Sequence, residues 1–289
     1  FGSSAAVHLR GARPAALLGA ALTQKGAMLQ GYKVTALSKA QGQLTTGPFG
    51  LIALVVQCTI LGVLLILFLY SEYDLTEIKR LDSSSIYNFY VGVALMMFVG
   101  FGYLMTFLKA HGLSAVGYTM YITCLGVEWA FIVENFMTNG LTIKLDFMDF
   151  LNANFAVAAV LISFGGLIGK VSPTQVTLVT LIELVCYCAN KVFFLTNMVG
   201  IADCGGTIII HVFGAYFGLA ACYTLGPALD ETYNSSSYAS DIFSLIGTVF
   251  LWLFWPSFVA GALPAGSEGH AIALVNTVLA LLASAVVTF

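Results

Sequence analysis

The sequence predicts an all-α fold, a polytopic transmembrane helical bundle of about eight spans. Three observations predict it. Of 289 residues, 59% are hydrophobic and 9% charged, whereas soluble domains carry roughly 25% charged residues. The mean hydropathy of +0.93 leaves too few polar side chains to coat a water-facing globule. The apolar residues also gather into runs of about 20, the length at which a helix crosses a ~30 Å hydrocarbon core. Barrel strands would instead be short and alternating.

Composition also excludes function classes. The net charge is −3, and Lys and Arg cluster only in the first 39 residues, so no nucleic acid is expected as partner. The six cysteines lie inside or at the edges of apolar runs and read as small buried residues rather than a disulfide framework. His8, His111, His211 and His270 are scattered. With no HExxH pair, GxSxG or GxxxxGK[ST], the chain reads as no enzyme and needs no metal or cofactor.

Taken in order, residues 1–48 form a basic leader with Arg10, Arg13, Lys25, Lys33 and Lys39 and no acidic residue. An organellar presequence has that composition, as does a cytosolic basic tail or a translation artefact. The spans follow at 49–70, 87–108, 113–136, 150–169, 173–195, 205–225, 241–262 and 270–289. Their connections hold much of the remaining charge: Glu72 to Asp82 after the first, Lys109 and His111 after the second, Lys144 to Asp149 after the third. An N-inside orientation puts seven basic residues on the inner side and four on the outer, the sense the positive-inside rule favours. It makes Asn234-Ser235-Ser236 cytosolic and free of glycan.

Polar groups inside spans are costly and mark candidates for function. They are Glu128, Glu134, Glu183, Lys191, Asp203 and His211. Glu128 and Glu134 suit interfacial or interhelical hydrogen bonds. Glu183 is deeper and must be protonated or paired, while Lys191 is long enough to snorkel outward. Asp203, before Gly205 and Gly206, is placed to cap the sixth span, or to gather cations at the mouth of an apolar path. His211 lies two turns into that span, where a neutral imidazole serves either a neighbouring carbonyl or a passing solute. Gly214 and Gly218 form a small-xxx-small groove, which predicts that this helix is central in the bundle. In the seventh span Trp252-Leu-Phe-Trp255-Pro256-Ser-Phe258 predicts a kink at Pro256. Its aromatics fit a core, a belt or the wall of a constriction.

Several of these residues fall in longer strings: Asp203-Cys-Gly-Gly-Thr-Ile-Ile-Ile-His211-Val-Phe-Gly-Ala-Tyr-Phe-Gly-Leu219, Gly247-Thr-Val-Phe-Leu-Trp-Leu-Phe-Trp-Pro-Ser-Phe258, and Ile162-Ser-Phe-Gly-Gly-Leu-Ile-Gly-Lys-Val-Ser-Pro173. With Phe98 to Leu108 and Leu113 to Gly117, they resemble the Rh (Rhesus) glycoprotein branch of the ammonium transporter family. The resemblance covers residues from about 50 to 289. It implies a multi-pass channel in the plasma membrane, or in an organellar membrane if the leader is a presequence. It further implies a homotrimer whose subunits each hold a pore between two inverted halves. In that register Asp203 is a buried acid near the outer vestibule, His211 the first of two pore histidines, Phe155 and Phe258 a stacked aromatic gate, and Trp255 part of the pore wall. The family's usual twelve spans make 49–289 a C-terminally truncated ammonium transporter domain, lacking the second histidine. Asn154 stands where the family commonly has Asp, and Lys191 where Glu is expected, both of which weaken cation attraction. The implied substrate is ammonium, conducted as ammonia. The alternatives are a carbon dioxide channel and a non-conducting Rh-like scaffold.

Overall fold

A computed structural model of the chain describes residues 48–70, 83–141, 147–226, 235–264 and 266–288. The leader up to residue 47, the charged connection with Lys79 and Arg80, Lys144 and Asn234 all lie outside the described residues. Residues 51–289 make one compact unit.

Eight helices are described, and all are long and apolar enough to cross a membrane. Helix α1 is Phe49–Tyr70. Helix α2 starts as Ser83–Leu95, loosens into a π segment at Met96–Phe101, and ends through Gly102–Leu104 and a 3₁₀ turn at Met105–Phe107. Then come α3 (Gly112–Asn139), α4 (Phe147–Leu167), and α5, which is α-helical over Pro173–Ala189 and π over Asn190–Val199. Helix α6 opens with a π segment, Thr207–Val212, and continues as Phe213–Leu225; α7 is Tyr238–Ala260 and α8 is Glu268–Thr288.

The spans therefore form where about 20 apolar residues occur, and their ends run up to four residues past or short of the apolar limits. Polar caps account for part of this. Ser172 and Gln175 make a reciprocal capping box at the start of α5, with Pro173 behind the cap, and Ser237 and Ser240 do the same for α7. Such side chains satisfy the first backbone N–H groups of a helix, which hydropathy does not register. Pro256 lies inside α7, and the chain stays helical through it to Ala260.

Helix α4 is the hub. It packs against α2, α3, α5 and α6, and Ala156, Val157, Ala158, Ala159, Val160 and Leu161 are all buried. Helix α7 lies across α2 and beside α8. Between apolar helices in lipid, close packing and interhelical hydrogen bonds replace the hydrophobic driving force. Both are present. Trp129 Nε1 donates to Leu181 O at 3.0 Å, Ser244 Oγ to Leu104 O at 3.0 Å, and Gln57 Nε2 to Glu128 Oε2, which ties α1 to α3. Each is worth about 0.6 kcal/mol by the average for such bonds.

Two expectations need correction. Helix α6 is central on one face only: Tyr216, Leu219 and Tyr223 on it are exposed. Cysteines are not mostly buried either, since Cys58, Cys124, Cys186 and Cys204 are exposed and Cys188 alone is fully buried. A thiol is apolar enough to sit on an outward helix surface, as Cys58, Cys124 and Cys186 do, while Cys204 lies in the turn between α5 and α6, so an apolar run cannot tell inward from outward positions.

Candidate functional site

Because successive helices run in opposite directions, the ends of α3 and α5, the starts of α4 and α6 and the end of α7 meet at one end of the bundle. The turn between α5 and α6 is built there. Gly206 has φ 68° and is the N-cap of α6. A side chain at this left-handed position would be strained and would also strike Ile210. Its carbonyl accepts from Ile210 N at 2.8 Å and from His211 N at 3.0 Å, the wide spacing of the π segment.

Asp203 closes this turn. Its Oδ2 accepts from Ile208 N at 2.8 Å and Ile209 N at 2.7 Å, satisfying two donors of the helix start. The residue is half-exposed rather than buried, because it also forms part of a pocket wall. That pocket has about 70 Å³ of space and is lined by Asp203, Lys191, Asn152, Tyr187, Phe155 and Phe258, together with the turn backbone. It holds a water-sized molecule easily.

In the pocket wall Phe155 from α4 and Phe258 from α7 are both buried, with ring centroids 4.9 Å apart. Their planes cross at 76°, so the pair is edge-to-face and not stacked, the geometry ring quadrupoles favour. The stacked partner of Phe258 is Trp255, at 5.2 Å and 16°. His211 does not line the pocket. Its ring meets Trp255 at 5.4 Å and Phe258 at 5.8 Å, both edge-on. His211 Nδ1 lies 3.0 Å from Gly206 O. A carbonyl only accepts, so Nδ1 carries a proton, and the tautomer of the neutral ring that fits this contact has Nε2 as its acceptor.

Gly214 and Gly218 hold α6 against α4. A Cβ on Gly214 would come within 2.6 Å of Ala159 O, and one on Gly218 within 2.9 Å of Ser163 Cα. Ser163 Oγ, at this crossing, lies within hydrogen-bond reach of both Gly214 O, at 2.7 Å, and Glu183 Oε1. One hydroxyl proton cannot serve two pure acceptors, so the arrangement closes when the fully buried Glu183 carries a proton and donates.

The two departures from the expected pattern separate here. Asn154 is buried in α4, donates to Phe150 O at 3.0 Å, and is not part of the pocket wall. Lys191 is in the wall, and it does not snorkel away: Nζ pairs with Glu134 Oε1. That pairing, the Ser163 link and the Gly206 carbonyl were not evident from the sequence, since each joins groups whose contact depends on helix rotation. Among the described residues no cluster of His, Cys, Asp or Glu is arranged to hold a metal ion.

The family model of the Ammonium Transporter Family matches residues 52–289. The chain belongs to the ammonium transporter family. It is 41% identical over 213 residues to ammonium transporter Rh type A of Canis lupus familiaris, an alignment spanning 72% of this chain and 51% of that protein. Over 208 residues it is 42% identical to ammonium transporter Rh type B of Sus scrofa, covering 70% of this chain and 45% of the relative. The chain thus spans about half the length of the curated relatives it matches. A solved structure, described as Nitrosomonas europaea Rh50 and the mechanism of conduction by the Rhesus protein family of channels, superposes with a TM-score of 0.64. It has 32% identity and covers 69% of this chain and 55% of that one. This member of the ammonium transporter family is an integral, multi-pass membrane protein of Rh type.

Proposed function

We propose that this chain forms part of a channel that gathers ammonium at the pocket and conducts ammonia past Phe155, Phe258 and His211. It is a conduit and not an enzyme. The observation that carries the reading is the juxtaposition of a carboxylate-bearing pocket with an apolar constriction backed by one polar ring.

Moving a small cation from water into a medium of low dielectric costs on the order of 20 kcal/mol before relaxation. A buried pair of phenylalanines therefore opposes NH₄⁺ far more than neutral NH₃. In the proposed path ammonium is drawn by Asp203, gives its proton to water at the mouth, and crosses the constriction as ammonia. Nε2 of His211 then offers a lone pair to an ammonia N–H, replacing one hydrogen bond lost from water.

The test is ammonia-driven alkalinisation inside vesicles reconstituted with the protein. Flux should exceed that of protein-free vesicles and fall at least ten-fold in His211→Ala, while Phe258→Ala folds but leaks potassium. Flux no greater than in protein-free vesicles would sink the proposal. The reading includes a homotrimer in the plasma membrane, checked by crosslinking on intact cells.

A further inference from the structure

Lys191 is an unusual group to find in the wall of a pocket proposed to attract cations. Its ε-ammonium has one positive charge and three N–H donors on a single nitrogen, the same recognition chemistry as ammonium or methylammonium. It pairs with Glu134 across α3 and α5, with the two side chains only 20% and 18% exposed. The other oxygen, Glu134 Oε2, is buried with no hydrogen-bond partner. Asp203 stands in the same wall, its Oδ2 accepting from two backbone N–H groups. The pocket wall thus includes an alkylammonium, Lys191, bound to a carboxylate that lies behind the wall and keeps one buried oxygen without a partner.

We infer that Lys191 is a tethered competitor for the cationic substrate, a specificity-determining residue that holds down the affinity of the pocket for ammonium by occupying Glu134. This deepens the proposed function and rests on its premise that the cation collects here. A soluble ammonium ion entering the pocket either displaces Nζ from Glu134 or binds beside a like charge, and both routes weaken its binding. Charges a few ångströms apart in a partly dry site interact strongly enough to change binding several-fold. Glu134 has the opposite effect, because without it Lys191 would face the pocket unneutralised.

The experiment is equilibrium binding of radiolabelled methylammonium to the purified full chain in detergent, so it does not depend on conduction. K191Q should bind roughly five-fold tighter than the parent and E134Q correspondingly weaker, by the size of one screened charge contact. K191R keeps the charge and should match the parent. Adding K191Q to E134Q should restore affinity, which gives a second reading should K191Q alone fail to fold.

An unchanged or weaker affinity in K191Q, a shift in K191R equal to that in K191Q, or no binding by any variant at millimolar methylammonium overturns the inference. Vesicles that show no ammonia flux although K191Q binds more tightly would defeat the channel reading and leave the competitor role standing.

Discussion

Asp203 serves two duties with one side chain. Its Oδ2 is committed to the N–H groups of Ile208 and Ile209, and its carboxylate faces the pocket. Asn can keep the acceptor and lose the charge, whereas Ala loses both. Asp203→Asn should therefore fold like the parent, with its melting point in detergent unchanged, and bind methylammonium several-fold more weakly. Asp203→Ala should lose about 1 kcal/mol or more, the usual worth of an N-cap, and the resulting shift of α6 should displace His211, whose ring is held by the same turn. Equal loss of binding in both variants with equal stability would mean that capping contributes little. Asn154, where the family resemblance leads one to expect Asp, is buried and not part of the pocket wall. Its amide donates to Phe150 O inside the core, a bond that an ionised Asp could not make.

At the scale of elements, the bundle depends on places where two backbones touch. Gly247 is the tightest, since a Cβ there would collide with Leu104 N and come within 2.6 Å of Gly100 O, both on α2. Neither is a flexible side-chain end that could swing aside. Gly247→Ala should push α7 off α2 and cost about 1 to 3 kcal/mol, as overpacking does. Because α7 carries Trp255 and Phe258, flux should fall as well, and a melting curve beside a flux assay measures both. Stability equal to the parent would show that the two backbones do not touch at Gly247. The groove at Gly214 and Gly218 was legible in the sequence because its spacing follows the helix period. Gly247 was not, because its partner is a backbone 143 to 147 residues earlier in the chain, and no local pattern records that. The π segments were equally hidden: Met96–Phe101 and Thr207–Val212 have the same apolar composition as the α-helical turns beside them. Spans were readable because lipid thickness imposes a minimum apolar length on all of them, whereas the Lys191–Glu134 pair requires the rotation of α3 and α5 about their axes.

For the whole molecule, antiparallel helices sort every connection to one of two ends. One end holds Asp203, Lys191, Glu134 and Cys204. The other holds His111, packed on Gly169, and Lys109, whose backbone N–H donates to Ser235 O at 3.1 Å. By the positive-inside rule the first end lies outside, and labelling from either side of the membrane tests this. Cys204 is exposed and lies between α5 and α6, and Leu113 is 95% exposed at the start of α3. A membrane-impermeant maleimide added to intact cells should label Cys204 and leave a Leu113→Cys variant unlabelled at position 113, with the reverse in inverted vesicles. Reactivity at Cys204 should also depend on pH in a known sense. Partial burial and then the neighbouring Asp203 charge push its thiol pKa up. Since the thiolate is the nucleophile, labelling should be slow at neutral pH and accelerate as the pH rises above the ordinary thiol range. Asp203→Asn removes the second cause and should speed labelling at a given pH. Labelling of position 113 from outside would turn the bundle over and put the pocket on the inner face. It would then meet the ammonium of the cytoplasm first, and the proposed direction of cation capture would reverse with it.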